Sequence, residues 1–141
     1  SDVCSSDLSL VARIGPIAGI AIGALIFACF HLTAGVKAPL SLLNLLLGGV
    51  LFGLLAWRSG GLVAPFLAHL SWNAIEDIGF GLVPNPGTGP LGSLVDLDLA
   101  GAALWGAHEE GLNASIGTTL VLVALIVPLV FRKRAETPVA A

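Results

Sequence analysis

Four long apolar runs dominate the chain: roughly Ile14 to Leu32, Pro39 to Trp57, Leu62 to Phe80 and Ala114 to Phe131, each uncharged through its middle. About 20 mostly apolar residues at 1.5 Å per helical residue cross the roughly 30 Å of hydrocarbon in a bilayer. Each run therefore predicts a transmembrane helix or a near-span, and the chain predicts an all-α membrane protein of about four such helices. The polar breaks between them are short. Thr33 to Ala38 holds a Gly and a Lys, and Arg58-Ser59-Gly60-Gly61 is a tight turn with two helix-disfavouring glycines, so successive helices should pack antiparallel. The stretch Gly81 to Asn113 differs: Val83-Pro84-Asn85-Pro86-Gly87-Thr88-Gly89-Pro90 cannot continue a helix, because its prolines remove donors and clash with the preceding turn. It predicts an ordered or re-entrant Pro/Gly-rich loop before the last helix, in which Leu91 to Gly106, with Trp105, forms a short amphipathic element at the interface. Gly15, Gly19 and Gly23 repeat every four residues on the first helix, a spacing that predicts close helix packing there.

Composition strengthens the membrane reading. Of 141 residues, 56% are hydrophobic and 11% charged, whereas a soluble domain carries about 25% charged residues. A mean hydropathy of +0.97 leaves too few polar groups to cover a water-facing surface. The net charge of -3 offers no basic face for nucleic acid; the partners expected are the lipid bilayer and a peptide or protein substrate within it. Cys4 lies in a polar leader and Cys29 in an apolar run, a pairing that marks neither a disulfide framework nor a metal site. Residues 1–13 are expected to be a polar leader that need not be native, residues 14–131 a single transmembrane domain, and residues 132–141 a basic, then flexible tail. With the N-terminus in the cytoplasm, Arg13, Arg58, Arg132, Lys133 and Arg134 fall inside and only Lys37 outside, five against one by the positive-inside rule. Both termini are therefore expected in the cytoplasm. No internal repeat of the inverted-transporter kind is found.

Two of the chain's three histidines, His31 and His69, fall inside these spans. A polar group there costs several kcal/mol unless it is partnered. Asn73 follows His69 by four residues, so the two side chains share a helix face, and Phe27 stands in the same relation to His31. Such groups serve either as hydrogen-bonded glue between helices or as ligands and catalysts. Asn44 reads as glue, Arg58 and the Arg132 to Arg134 cluster as topology anchors, and Glu76 lies at the outer end of the third helix.

Phe27-Ala28-Cys29-Phe30-His31 is similar to the Phe-x-x-x-His motif of the CPBP family (CAAX proteases and bacteriocin-processing enzymes), and His69-Leu70-Ser71-Trp72-Asn73 to its His-x-x-x-Asn motif. The intervening Gly48 to Leu55 and Trp57 to Pro65 resemble the helix, turn and Pro-containing helix start found between them. The resemblance implies intramembrane endopeptidase chemistry on CAAX-type or bacteriocin-processing-like substrates, in a bacterial plasma membrane. His31 would help bind and activate water, and His69 and Asn73 would stabilise the oxyanion, with Phe27 as a supporting motif residue. Zinc is one reading, with His31 and His69 as candidate ligands, against a glutamate-activated water; a catalytic zinc normally takes three protein ligands. The family's Glu-Glu-x-x-x-Arg motif does not occur ahead of Phe27, so the chain reads as a C-terminal fragment that is inactive alone. His108-Glu109-Glu110 lacks the Arg and is expected to structure its loop. A non-enzymatic membrane protein, immunity-like or a scaffold, is the alternative reading, and a small transporter ranks last. Straight, flush helices would place His31 and His69 about 15 Å apart along the membrane normal, so the reading requires tilt or a shifted helix start.

Overall fold

The computed structural model describes residues 14–82 and 92–131, and these are helical with no strand among them. The leader with Cys4 and Arg13, the proline-rich stretch 83–91 and the basic tail 132–141 lie outside the described residues. Four α-helices follow in order: α1 Pro16–Thr33, α2 Pro39–Ser59, α3 Val63–Asn73 and α4 Ile116–Phe131. A π-helical turn, Ala74–Gly79, extends α3, and two 3-10 turns, Ala103–Trp105 and Gly111–Ala114, precede α4.

Local chemistry sets the boundaries. Both α1 and α2 open on a proline, whose fixed φ and missing N–H suit a first turn that has no partner for that N–H. Helix α2 ends on Gly60 at φ 69°, the left-handed conformation glycine adopts without penalty. Ser115 caps α4: its Oγ accepts the Thr118 N–H at 3.0 Å. The third span departs from a plain helix, widening after Asn73 into the π turn. Its last carbonyls are satisfied from a distant segment, the N–H groups of Leu94, Val95 and Leu97 donating to the carbonyls of Ile78, Gly79 and Phe80. Within the described part of the expected amphipathic element, residues 92–102 are irregular and only Ala103–Trp105 is helical, because the backbone donors of 94–97 are committed to the end of the third span.

Helix α2 is the spine, packing against α1, α3 and α4. Its tightest seam faces α1: a Cβ on Gly49 would lie 2.6 Å from Ala24 Cα, and one on Gly53 3.0 Å from Ile20. The close approach therefore depends on the glycines of α2; on α1 a Cβ on Gly15 or Gly23 would meet nothing within 4 Å, whereas Gly19 is buried. Helix α4 is tied to α2 at both ends. Asn44 Nδ2 donates to the carbonyls of Asn113 (2.8 Å) and Ser115 (2.9 Å), and its Oδ1 accepts from Thr119 Oγ1 (2.6 Å). At the opposite end Arg58 donates to the Val130 carbonyl at 3.2 Å, a cation at a helix C-terminus. Asn44 thus acts as the interhelical tie its sequence position suggests.

The outer surface is apolar. Ile17, Phe30, Val63, Phe66, Leu120 and Phe131 are each at least 60% exposed. Helices α1 and α2 are long and apolar enough to cross a membrane, with 11% of α1 and 39% of α2 buried within the protein, and α4 is a shorter apolar helix. This is a protein whose hydrophobic side chains face outward, the arrangement lipid selects.

Candidate active site

The polar residues of α3 and its π extension form one stripe. His69, Trp72, Asn73 and Glu76 follow i, i+3, i+4, i+7, the spacing of a single helix face. All four line a cleft of about 370 Å³, which His31 and Asn44 also border. The opposite face of the segment carries Phe66, Leu67, Leu70 and Ile75, all exposed. The third span is thus amphipathic, with its polar face turned into the protein.

Aromatic rings arrange the two imidazoles. The Phe27 ring lies 4.5 Å from that of His31 and 5.4 Å from that of His69, edge-on to the latter. Phe52 of α2 completes the group, 5.1 Å from His69 and 5.4 Å from Phe27. Sharing Phe27 as a neighbour, the imidazoles are closer than the 15 Å that flush, straight helices would give. The physical reason is register: α1 and α3 each pack on α2 independently, and nothing obliges them to start level.

Hydrogen bonds fix the ring nitrogens. His31 Nδ1 donates to the Phe27 carbonyl at 2.9 Å, which leaves Nε2 as the lone-pair nitrogen of the neutral ring. His69 Nε2 lies 3.3 Å from Asn73 Nδ2, and the carboxamide retains a second N–H. Asn73 is exposed at the open side of the cleft, whereas His31 and His69 are half-buried. The arrangement offers one lone-pair nitrogen and a convergent His–Asn pair on an apolar scaffold, the elements of an acceptor and an anion-stabilising site. Among the described residues no three His, Cys, Asp or Glu side chains are grouped to hold a metal. Two imidazoles do not by themselves fit a three-ligand zinc site.

Two cleft residues had no functional reading from sequence. Glu76, placed by sequence at an outer helix end, is 4% exposed, lines the cleft and accepts the Trp72 indole N–H at 3.1 Å. Its i+7 relation to His69 was the available signal. Phe52 gave none, since one more aromatic in an apolar helix is indistinguishable from core filler. Glu110, in contrast, serves the fold: its Oε1 accepts the Lys37 and Ala38 N–H groups at 2.8 and 3.0 Å, at the start of α2. Burial raises its pKa, but the Ser41 hydroxyl, these two N–H donors and His108 outweigh burial and hold the carboxyl below its ordinary 4.5. Ser41 Oγ and Glu110 Oε2 do not themselves meet hydrogen-bond geometry, so the two N–H groups are the firm partners.

A helical protein with outward-facing apolar side chains and a polar, two-histidine cleft defines an intramembrane class, and the family comparison agrees. Residues 8–75, just under half of the chain, match the family described as Type II CAAX prenyl endopeptidase Rce1-like. That segment, which holds Phe27, His31, His69 and Asn73, is similar to this family of membrane-embedded proteases. No curated protein and no solved structure matches the chain.

Proposed function

We propose that this chain carries the water-activating and oxyanion-stabilising part of an intramembrane endopeptidase of the CAAX-processing type. Its substrates would be membrane-associated peptides such as prenylated C-termini or bacteriocin leaders. The observation that supports the reading is the placement of His31, His69 and Asn73 on one cleft, with Phe27 touching both imidazoles. In this reading the substrate amide enters from the open side. His31, held by the Phe27 carbonyl, presents Nε2 to a water, and the water oxygen attacks the carbonyl carbon. His69 and the second N–H of Asn73 receive the developing oxyanion, and a proton passes to the amine as the C–N bond breaks. An oxyanion donor preorganised in a low-dielectric site is worth about 3 to 4 kcal/mol. In this reading the protein is a multi-pass component of a bacterial plasma membrane with both ends cytoplasmic, and the distribution of its basic residues supports that orientation.

The test uses the protein expressed from its complete gene and a prenylated CAAX peptide in vesicles. Asn73→Ala and His69→Ala should each lower kcat about a hundredfold or more, with membrane expression unchanged. Unchanged cleavage in both would refute the assignment. Loss of the folded protein in both would favour the alternative, in which these groups only pack helices.

A further inference from the structure

Helices α1 and α3 both pack on α2 and leave between them an apolar groove of about 380 Å³. Phe27 and Phe52 line this groove as well as the polar cleft, and so form the wall between the two. Along α1 the groove runs from Gly19 to Phe30, about 16 Å of helix at 1.5 Å per residue. Trp57, Leu62 and Pro65 border its end beside the turn at residues 58–61, where α2 stops. The groove therefore rises from one face of the bilayer to about its middle, since one leaflet supplies about 15 Å of the roughly 30 Å hydrocarbon core.

Spread over that length, the volume gives a channel about 5 Å across. A helix, about 10 to 12 Å wide with its side chains, does not fit it. Water does not suit it either: among the described lining residues only Trp57 has a polar side-chain atom, and a buried water needs about two to four polar partners. The rim residues Ile22, Ile26 and Phe30 are exposed, so the groove is continuous with the lipid-facing surface of α1. In hydrocarbon a trough left empty forfeits the dispersion contacts of its walls, and a single alkyl chain restores them. We propose that the groove is a lipid site, holding one acyl chain of a phospholipid from the leaflet beside residues 58–61, with the chain's methyl end against Phe27 and Phe52. An occupied groove backs the two rings that touch His31 and His69, so bilayer lipid and the imidazoles bear on the same aromatic wall. The site is separate from the cleft and stands whether or not the chain cleaves peptides.

Gly23 supplies the variant. It lines the groove, and a Cβ there would meet nothing within 4 Å, so a side chain at this position fills the trough and leaves the seam at Gly49 and Gly53 alone. The complete protein is reconstituted in vesicles of phosphatidylethanolamine and phosphatidylglycerol, which include a phosphatidylethanolamine bearing a diazirine at the methyl end of one acyl chain. After illumination, labelled residues are mapped by mass spectrometry. Phe27 and Phe52 should be labelled above Leu120 and Val123, which are exposed on α4. A diazirine near the glycerol should move the label to Trp57 and Leu62. Gly23→Leu should remove the excess at Phe52 and leave α4 labelling unchanged. Gly23→Ala, the smaller change, should reduce that excess and decides the matter if the leucine variant does not fold. Labelling of Phe52 no stronger than that of Leu120, or unaffected by either variant, overturns the inference. Loss of the Phe52 label to an excess of prenylated peptide also overturns it, by assigning the groove to a substrate chain.

Discussion

Asn44 shows how one polar side chain earns its place in an apolar helix. At 3% exposure it donates twice and accepts once, joining α2 to Asn113, Ser115 and Thr119. Replacing it by leucine takes the donor from the Asn113 carbonyl and leaves the Ser115 carbonyl and the Thr119 hydroxyl only their longer contacts within α4, and an interhelical hydrogen bond in a membrane protein is worth roughly 0.6 to 2 kcal/mol. Asn44→Leu should therefore lower stability by about 1 to 2 kcal/mol, read as an earlier thermal midpoint in detergent. At this scale the sequence was informative where a polar residue interrupted an apolar run. His31, His69, Asn73 and Asn44 announced themselves because each is costly unless partnered. Glu76 was equally anomalous, but its place beside a run of loop residues disguised it as a helix end. Phe52 was illegible, since only contact with His69 distinguishes it from any other half-buried ring.

Helices were legible as lengths of apolar sequence, and their positions along one another were not. Pro16, Pro39 and Gly60 mark ends that the sequence signals well. The π turn after Asn73 depends on Leu94, Val95 and Leu97 arriving from outside the helix, a long-range condition that no local pattern encodes. The start of α2 depends similarly on Glu110, whose carboxylate receives the N–H groups of Lys37 and Ala38. Loss of a helix-capping side chain costs about 0.5 to 2 kcal/mol, and Glu110→Ala should destabilise by that amount. The pH dependence follows from the lowered folded-state pKa of Glu110. Its contribution is complete above the ordinary carboxylate value of 4.5 and declines as pH falls through the lower folded value. Thermal midpoints measured from pH 6 downward should converge for wild type and Glu110→Gln in acid.

Across the whole molecule, the membrane reading makes a statement about accessibility. Cys29 is a free, exposed thiol on α1, whose outer face also carries Ile22, Leu25, Ile26 and Phe30. Exposure on this surface means contact with acyl chains, so in a Cys4→Ser background Cys29 should resist a charged, membrane-impermeant maleimide in vesicles. It should react readily once the bilayer is dissolved in dodecyl sulfate. Rapid labelling in intact vesicles would place α1 in water and refute the assignment of that surface to lipid.

Helix α2 bears none of the motif residues, yet every other helix takes its bearings from it. One extra residue in its middle, between Asn44 and Gly53, would turn the two halves about 100° against each other. Gly49 and Gly53 would no longer be aligned with Asn44, so α1 and α4 could not both stay seated, and the imidazoles that meet at Phe27 would part company. An alanine inserted after Gly48 should therefore disable the protein more thoroughly than one inserted among residues 98–101, where the chain is irregular and can absorb it. The chemistry of the cleft is written on α1 and α3, but the gauge that sets their spacing is a helix with no reactive group of its own.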